Sequence, residues 1–146
     1  MDAELGAKPQ TLAMNLIASV VVPVLLLFHL VGPMPTDLGD HDGRLSPCSS
    51  PAHCAQEQWN SAEPNADFET LALRVAELPR TVVVERSSNY LHAEASSAFF
   101  GFVDDLELLA NEQEKFIQAR SVSRLGDSDL GVNSTRLGEL HAALSD

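Results

Sequence analysis

Basic residues are scarce in this chain of 146 residues, which has 9 Lys and Arg against 21 Asp and Glu and a formal net charge of -12. Affinity for nucleic acid comes mainly from Lys and Arg side chains that neutralise phosphates. The composition therefore argues against a nucleic-acid partner, and it disfavours adsorption to anionic lipid headgroups for the same reason. The length favours a single domain.

The sequence signatures of common enzymes are also missing. The chain has no His-Glu-x-x-His motif, no glycine-rich phosphate loop and no Ser or Cys in a nucleophile elbow. These absences favour a non-enzymatic module over an enzyme. We therefore predict no catalytic residue, no metal site and no cofactor.

Charged residues are absent from Pro9 to Thr36. This stretch contains LAMNLIASVVVPVLLLFHLV, residues 12–31, which is about the ~20 residues that a helix needs to cross a bilayer. A cleaved signal peptide would have a shorter apolar core and a small-x-small exit, whereas this run exits through HLVGPMPTD. We predict a tail over residues 1–11 and a single transmembrane anchor over residues 12–31, with a cleaved signal as the alternative.

The orientation of this anchor follows from the few cations around it. Lys8 and the terminal amine lie before the apolar run, and Arg44 is the nearest cation after it. The positive-inside rule then predicts a cytoplasmic amino terminus. The folded domain is accordingly expected to be exported to a periplasm or lumen.

Residues 32–64 are rich in Pro, Gly and Asp and show no helical or strand period, which is typical of a linker. They hold the chain's two cysteines, Cys48 and Cys54. In an exported protein such a pair predicts a disulfide. A metal site with His41 and His53 fits the usual zinc spacings poorly, and two reduced thiols are the alternative if the domain is not exported.

Residues 65–146 have the pattern of a folded α+β domain. Apolar residues at helical spacing lie in NADFETLALRVAELPR and again in VNSTRLGELHAAL, and four β-rich runs lie between them. Strands joined by short loops pair antiparallel, and helices must cover their apolar faces. We predict a four-stranded antiparallel sheet with two helices packed on one face and the other face open to solvent.

Alternation along the strands assigns side chains to the two faces of the first hairpin. With a turn at Ser88 and Asn89, the core face is predicted to carry Val82, Val84, Leu91, Ala93 and Ala95. The opposite face is predicted to carry Thr81, Val83, Glu85, Tyr90, His92 and Glu94. Glu85 falls opposite His92 in this alignment.

In the second hairpin, a loop over residues 110–114 places Asp104 opposite Arg120. A slip of one residue would place Asp105 there instead. Consecutive strand residues face opposite sides of a sheet. Asp104 and Asp105 are therefore not expected to form a paired-carboxylate site.

Three stretches, CSSPAHC, YLHAEASSAFFGFVDDLEL and ARSVSRLGDSDLGVNSTRLGEL, resemble the domain of unknown function 1499 family over about residues 45–144. The chain departs from the family pattern at Ala52-His53, where an Asn is usual, and at Ala95-Ser96, where a basic residue is common. The resemblance implies a small α+β domain, often exported or membrane-linked, and it assigns no catalytic residue.

The candidate ligand-binding residues are polar side chains on the predicted open face and around the start of the last helix. They are Tyr90, His92, Glu94, Asp104, Asp105, Arg120, Arg124, Asp129 and Asn133. We interpret them as a surface for a protein partner or small ligand, with the helix amino terminus able to receive an anion. One alternative is a small hydrolase-like or metal-dependent enzyme using His92 with Glu85 or Glu94. Another is that these residues only form charge ladders and helix caps.

Overall fold

The structure is a computed structural model that describes residues 31–145. The anchor predicted over residues 12–31 lies outside the described residues except for Val31. No helix within residues 31–145 is long and apolar enough to span a bilayer.

The described residues form one antiparallel sheet and two helices in the order β1, α1, β2, β3, β4, β5, α2. Their bounds are β1 Cys54–Asn60, α1 Pro64–Glu77, β2 Thr81–Arg86, β3 Tyr90–Ser96, β4 Val103–Asn111, β5 Phe116–Ser123 and α2 Val132–Ala142. The strands lie side by side in the order β1-β5-β4-β3-β2. The α+β class, the antiparallel sheet and the two helices are confirmed.

The prediction of four strands is wrong, because the sheet has five. The additional strand β1 comes from residues assigned to the linker, and it pairs with β5 from Cys54 to Asn60. Its sequence, CAQEQWN, shows little apolar alternation. Of the two faces of this strand, only the one that carries Trp59 packs into the helix-covered core. A strand at the sheet edge with a polar face carries a weak sequence signal.

Helix α1 forms because its apolar residues share one face. Phe68, Leu71 and Val75 are fully buried. Pro64 stands at the first helical position, where its missing N–H costs nothing. The helix ends at Glu77, and Leu78 is extended as expected for a residue that precedes proline.

The first hairpin has the predicted pairing of Glu85 with His92. A β-bulge between Val83 and Glu85, however, reverses which side chains earlier in β2 point to the core. Val83 packs against the core, whereas Val82 and Val84 are exposed. The assignment of Val82 and Val84 to the core is therefore wrong. Strict alternation failed here because the bulge inserts one unpaired residue.

The second hairpin has a shorter turn than predicted. Strand β4 continues to Asn111, which pairs with Phe116, so Asp104 lies opposite Ser123 and Asp105 opposite Val122. Neither aspartate is opposite Arg120, and both proposed alignments are wrong. The tight turn is possible because Lys115 adopts a positive φ of 57° and the Asn111 side chain accepts the Glu114 N–H.

Both helices pack on one face of the sheet and close an apolar core that includes Leu106, Leu108 and Leu137. The other face is crossed by residues 31–46, which we call the arm. Leu45 of the arm packs with Tyr90 and Leu109. The expectation that this face is open to solvent is therefore wrong for its central residues.

Two ends of the sheet are distinguished below. The loop end is where β3 and β5 end and β4 begins, and it carries the connections over residues 97–102 and 124–131. The turn end is where Asn111 pairs with Phe116. The arm starts against the loop end, at Gly32, and reaches Gln118 and Tyr90 nearer the turn end at Leu45.

Candidate functional site

Four of the predicted site residues form a chain of hydrogen-bonded side chains beneath the arm. His92 Nε2 lies 2.8 Å from Asp105 Oδ1, and Arg124 donates to both oxygens of Asp105 at 2.8 Å. The same guanidinium donates to Glu94 at 2.5 Å. His92 and Asp105 are 3% and 0% exposed. These side chains bind one another and leave little surface for a ligand.

The electrostatics of this cluster favour the charged forms of Asp105 and Arg124. Burial pushes the pKa of Asp105 upward, but the hydrogen bonds from Arg124 and His92 outweigh burial and hold it below the ordinary value of 3.8. The hydrogen bond to Asp105 raises the pKa of Arg124, and Glu94 adds to this shift. Both Asp105 and Arg124 are therefore charged at neutral pH.

A second buried cluster surrounds Glu107, which sequence reasoning did not single out. Its carboxylate accepts hydrogen bonds from the Tyr90 hydroxyl at 2.8 Å, from Arg120 Nη1 at 2.9 Å and from the Gly39 N–H at 2.8 Å. Arg120 Nη2 also donates to Asp37 of the arm at 2.8 Å. The arm thus closes over a carboxylate that is completely buried.

Tyr90 is held in its neutral form by this second cluster. Burial raises the pKa of its hydroxyl well above the ordinary 10, and the adjacent Glu107 carboxylate raises it further. The phenol acts as a hydrogen-bond donor to Glu107. Tyr90 is consequently part of the attachment of the arm to the sheet.

The carboxylate that contacts His92 is that of Asp105. The Glu94 carboxylate binds Arg124 instead. Glu85 lies opposite His92 in the strand register. A shallow cavity of about 290 Å³ borders His92 and Glu85 beneath arm residues 34–39. Within residues 31–145 no three His, Cys, Asp or Glu side chains stand together in a way that could hold a metal ion. The geometry thus differs from the His92–Glu85 or His92–Glu94 arrangement of the enzyme alternative.

Asp104 points to the opposite face from Asp105, as the alternation predicts. Its carboxylate binds Arg136 Nη2 of α2 at 2.9 Å. Arg136 Nη1 continues to Ser121 at 2.7 Å and to Asn133 at 2.9 Å. Arg136 was not among the predicted residues, and only its spacing from Asn133 by about one helical turn could have indicated a shared face.

Asn133 joins three elements at the loop end. It is fully buried, and its amide accepts from Ser121 at 2.7 Å and donates to Ser123 at 3.0 Å and to the His53 carbonyl at 3.1 Å. With the Arg136 contact, the amide has four partners, the number that its donors and acceptors allow. Asn133 is therefore a structural connection between α2, β5 and the cysteine loop.

The amino terminus of α2 is occupied by an internal carboxylate. Asp129 accepts the N–H groups of Gly131 at 2.8 Å and Asn133 at 3.1 Å. Burial opposes ionisation, but these backbone hydrogen bonds outweigh it and lower the pKa of Asp129 below the ordinary 3.8. The place predicted for an external anion is filled by this side chain.

Cys48 and Cys54, the predicted pair, are joined by a disulfide with their Cα atoms 5.6 Å apart. Carbonyls in the loop they enclose accept backbone N–H groups from both sides of the β5–α2 connection. The His53 carbonyl accepts from Ser123 at 2.9 Å, and the Ala52 carbonyl accepts from Asp129 at 2.9 Å. The disulfide loop is thus part of the loop end.

The loop end also carries an exposed apolar surface, which we call the apolar rim. It consists of Phe99, Phe100, Phe102, Leu130 and Val132. Phe99 and Leu130 are each 92% exposed. Ala98, which precedes Phe99, lines a cleft of about 440 Å³ together with Leu130 and Val132. The consecutive phenylalanines beside Gly101 were the sequence signal for this surface, and sequence reasoning did not use it.

Gly32 fixes where the chain enters this end of the domain. Its φ is +71°, which residues other than glycine rarely adopt, and a Cβ there would lie 2.7 Å from Leu125 Cγ and 3.0 Å from Arg124 Cβ. The backbone of Gly32 therefore lies directly against the first residues of the β5–α2 connection. Gly32 therefore lies at the loop end of the sheet.

These features define a class of small α+β domain: an antiparallel sheet with two helices on one face and an arm closing over buried ion pairs on the other. The chain belongs to the family described as Protein of unknown function (DUF1499), whose family model matches residues 37–144. A search of curated proteins found none that matches the chain.

Proposed function

We propose that the protein is a non-enzymatic accessory module that is tethered to a membrane by its N-terminal segment, with the folded domain on the exported side. The proposal for the tether rests on the uncharged run at residues 12–31, which has the length of a membrane-spanning helix. The proposal for a non-catalytic role rests on the state of the ionisable side chains.

The internal pairing of these side chains is the observation that carries the proposal. A general base needs a free nitrogen or oxygen within reach of substrate, but Asp105 is held by Arg124 and His92. Glu107 is similarly held by Tyr90, Arg120 and the arm backbone. Buried charges that are fully paired stabilise one arrangement of the fold, and they are poorly placed to bind a ligand.

One observation favours a second candidate, an acid–base enzyme. His92 borders the cavity of about 290 Å³ beneath the arm, and its Nε2 contacts the buried Asp105. A histidine oriented by a carboxylate beside a cavity is an arrangement that general-base catalysis uses. The candidate is testable with p-nitrophenyl acetate, a generic activated ester. We expect hydrolysis to be equal for the unmodified chain and the His92→Gln variant, and His92-dependent hydrolysis would favour the enzyme.

The tether is tested with the full chain expressed in a bacterial host. We expect the unmodified protein to stay with membranes after an alkaline carbonate wash. The Leu25→Arg/Leu26→Arg variant should be released, because an arginine near the centre of a spanning helix costs about 2.5–3.5 kcal/mol on insertion scales. The matched control is Leu73→Arg, the same change at a surface position that is 63% exposed on α1.

Release of the unmodified chain by carbonate would contradict the tether, as would a mature protein that lacks residues 1–31. Export is tested separately by blocking free thiols in intact cells. Because disulfides persist in oxidising compartments, we expect Cys48 and Cys54 to resist alkylation until a reductant is added. Rapid alkylation without reductant would place the domain in a reducing compartment and overturn the proposed orientation.

A further inference from the structure

The apolar rim and the entry point of the chain lie at the same end of the sheet. Resting on the proposed membrane tether, we infer that the apolar rim is a membrane-docking surface that inserts into the interfacial layer of a neutral phospholipid bilayer. The domain would then be seated on the membrane by its loop end, with the turn end directed into the aqueous phase.

Chain length leaves little slack between the anchor and the folded domain. The predicted anchor ends at Val31, and the next residue, Gly32, is packed against Leu125. One residue spans at most about 3.6 Å. The loop end is therefore held within a few ångströms of the place where the spanning segment leaves the bilayer.

The side chains at that place suit the interfacial layer. Phe99 and Leu130 are each 92% exposed, Phe100 is 66% exposed and Val132 is 51% exposed. Clustered apolar side chains on a soluble surface usually mark an interaction site. Phe and Leu are typical of the buried face of proteins that lie in the membrane interface.

Several charges at the loop end are neutralised within the protein, and the exposed Asp127 would have to stay in the hydrated headgroup layer. Arg136 binds Asp104, and Arg124 binds Asp105 and Glu94. The chain as a whole carries a formal net charge of -12. Repulsion from anionic headgroups would oppose docking on an acidic surface, so the composition favours zwitterionic lipids such as phosphatidylcholine.

The turn end has the opposite character. Its connection contains Glu112, Glu114 and Lys115, which are exposed and pair with nearby charges rather than with apolar groups. Asn89 and Ser87 form the exposed turn of the first hairpin beside it. Desolvating such groups is unfavourable, so the molecule has one end suited to lipid and one suited to water.

The docking is tested with the full chain reconstituted in phosphatidylcholine vesicles and a nitroxide label at one introduced cysteine, leaving the native disulfide oxidised. Leu130→Cys probes the apolar rim, and Glu112→Cys is the control at the turn end. We expect the label at Leu130 to collide with oxygen more than with a water-soluble nickel chelate, and the label at Glu112 to show the reverse. The preference at Leu130 should weaken when anionic lipid is added.

A second pair of variants separates docking from the anchor. Phe99→Ser/Phe100→Ser should move the label at Leu130 into water while the protein remains in the vesicles. Val84→Ser, which changes an exposed apolar residue in the middle of β2, should leave the label in lipid. A shift with Val84→Ser equal to that of the phenylalanine variant would overturn the assignment to the apolar rim.

The outcomes also distinguish the inference from the function on which it rests. A chain that incorporates into vesicles but keeps the Leu130 label in water would overturn the docking and leave the tether intact. A chain that fails to incorporate would contradict the tether itself. A Leu130 label whose shielding rose with the protein-to-lipid ratio would assign the apolar rim to contact between protein copies, and this too would overturn the docking.

Discussion

Strand β4 separates two chemically different interiors within four consecutive residues. Leu106 and Leu108 face the helices, whereas Asp105 and Glu107 face the arm, and all four are completely buried. The alternation of a strand accounts for this division. The side chains on the two faces are therefore equally buried, but different interactions stabilise them.

On the helix face, stability comes from apolar area removed from water, at roughly 25 cal/mol per Å². This contribution is additive over many contacts and does not depend on a particular partner. On the arm face, each buried charge costs several kcal/mol to desolvate, and its partner must offset that cost. The stability of the arm face thus depends on specific partners, because removing one member of an ion pair leaves the other buried without compensation.

The largest effect is expected from breaking one pair on the arm face. Arg120→Ala leaves Glu107 fully buried without its cationic partner and removes the contact to Asp37. We expect the free energy of unfolding to fall by about 4 kcal/mol, measured by urea denaturation. Arg74→Ala, which breaks an exposed pair with Glu77, is the control and should change stability by less than about 0.5 kcal/mol.

A truncation on the helix face gives the matching measurement. Leu106→Ala removes a fully buried side chain and leaves a cavity, so we expect a loss of about 3 kcal/mol in the same urea experiment. Leu73→Ala, at an exposed position on α1, should cost far less. A loss for Leu106→Ala that varied strongly with pH would contradict the apolar character assigned to this face.

Sequence reasoning recovered the helix face better than the arm face. Helical spacing of Phe68, Leu71 and Val75 located α1, and alternation placed Leu91 and Ala93 in the core. These features follow from local periodicity, which one sequence carries. Alternation also separated Asp104 from Asp105 correctly, although the hairpin alignment itself was wrong.

The arm face could not be predicted because its contacts join residues far apart in the chain. Asp37 meets Arg120 and Gly39 meets Glu107 across the folded domain, and no local period indicates such pairs. Polar residues in strands were therefore interpreted as an open ligand surface. The bulge after Val83 was missed for a related reason, since a single inserted residue leaves no composition signal.

The pH dependence should distinguish the two faces through Asp105. The hydrogen bonds from Arg124 and His92 hold its pKa below the ordinary 3.8. A depressed pKa contributes stability that is complete above the unfolded value and is lost as the pH falls below 3.8 toward the folded value. We expect Asp105→Asn to cost about 2 kcal/mol near neutral pH, with a smaller difference from the unmodified chain in acid.

Urea denaturation at a series of pH values measures this difference. Asp127→Asn, an exposed carboxylate in the β5–α2 connection, is the control and should give a difference that is small at every pH. A cost for Asp105→Asn that stayed constant down to the acid limit would show that the charge of Asp105 contributes nothing to the arm face.

The smallest effect is expected at Tyr90, whose hydroxyl donates to Glu107 at 2.8 Å. Tyr90→Phe removes this one hydrogen bond and leaves the Arg120 and Gly39 contacts to the carboxylate, so we expect a loss of about 1 kcal/mol. Burial raises the pKa of Tyr90 above the ordinary 10, and such a shift contributes stability that is lost as the pH rises beyond 10. The difference in stability between Tyr90→Phe and the unmodified chain should therefore close in alkali.

Tyrosinate absorbance measures the ionisation of Tyr90 directly, because the chain has one tyrosine. We expect this absorbance to appear only as the protein unfolds. Tyrosinate formed in the folded protein near pH 10 would mean that the arm does not cover Tyr90.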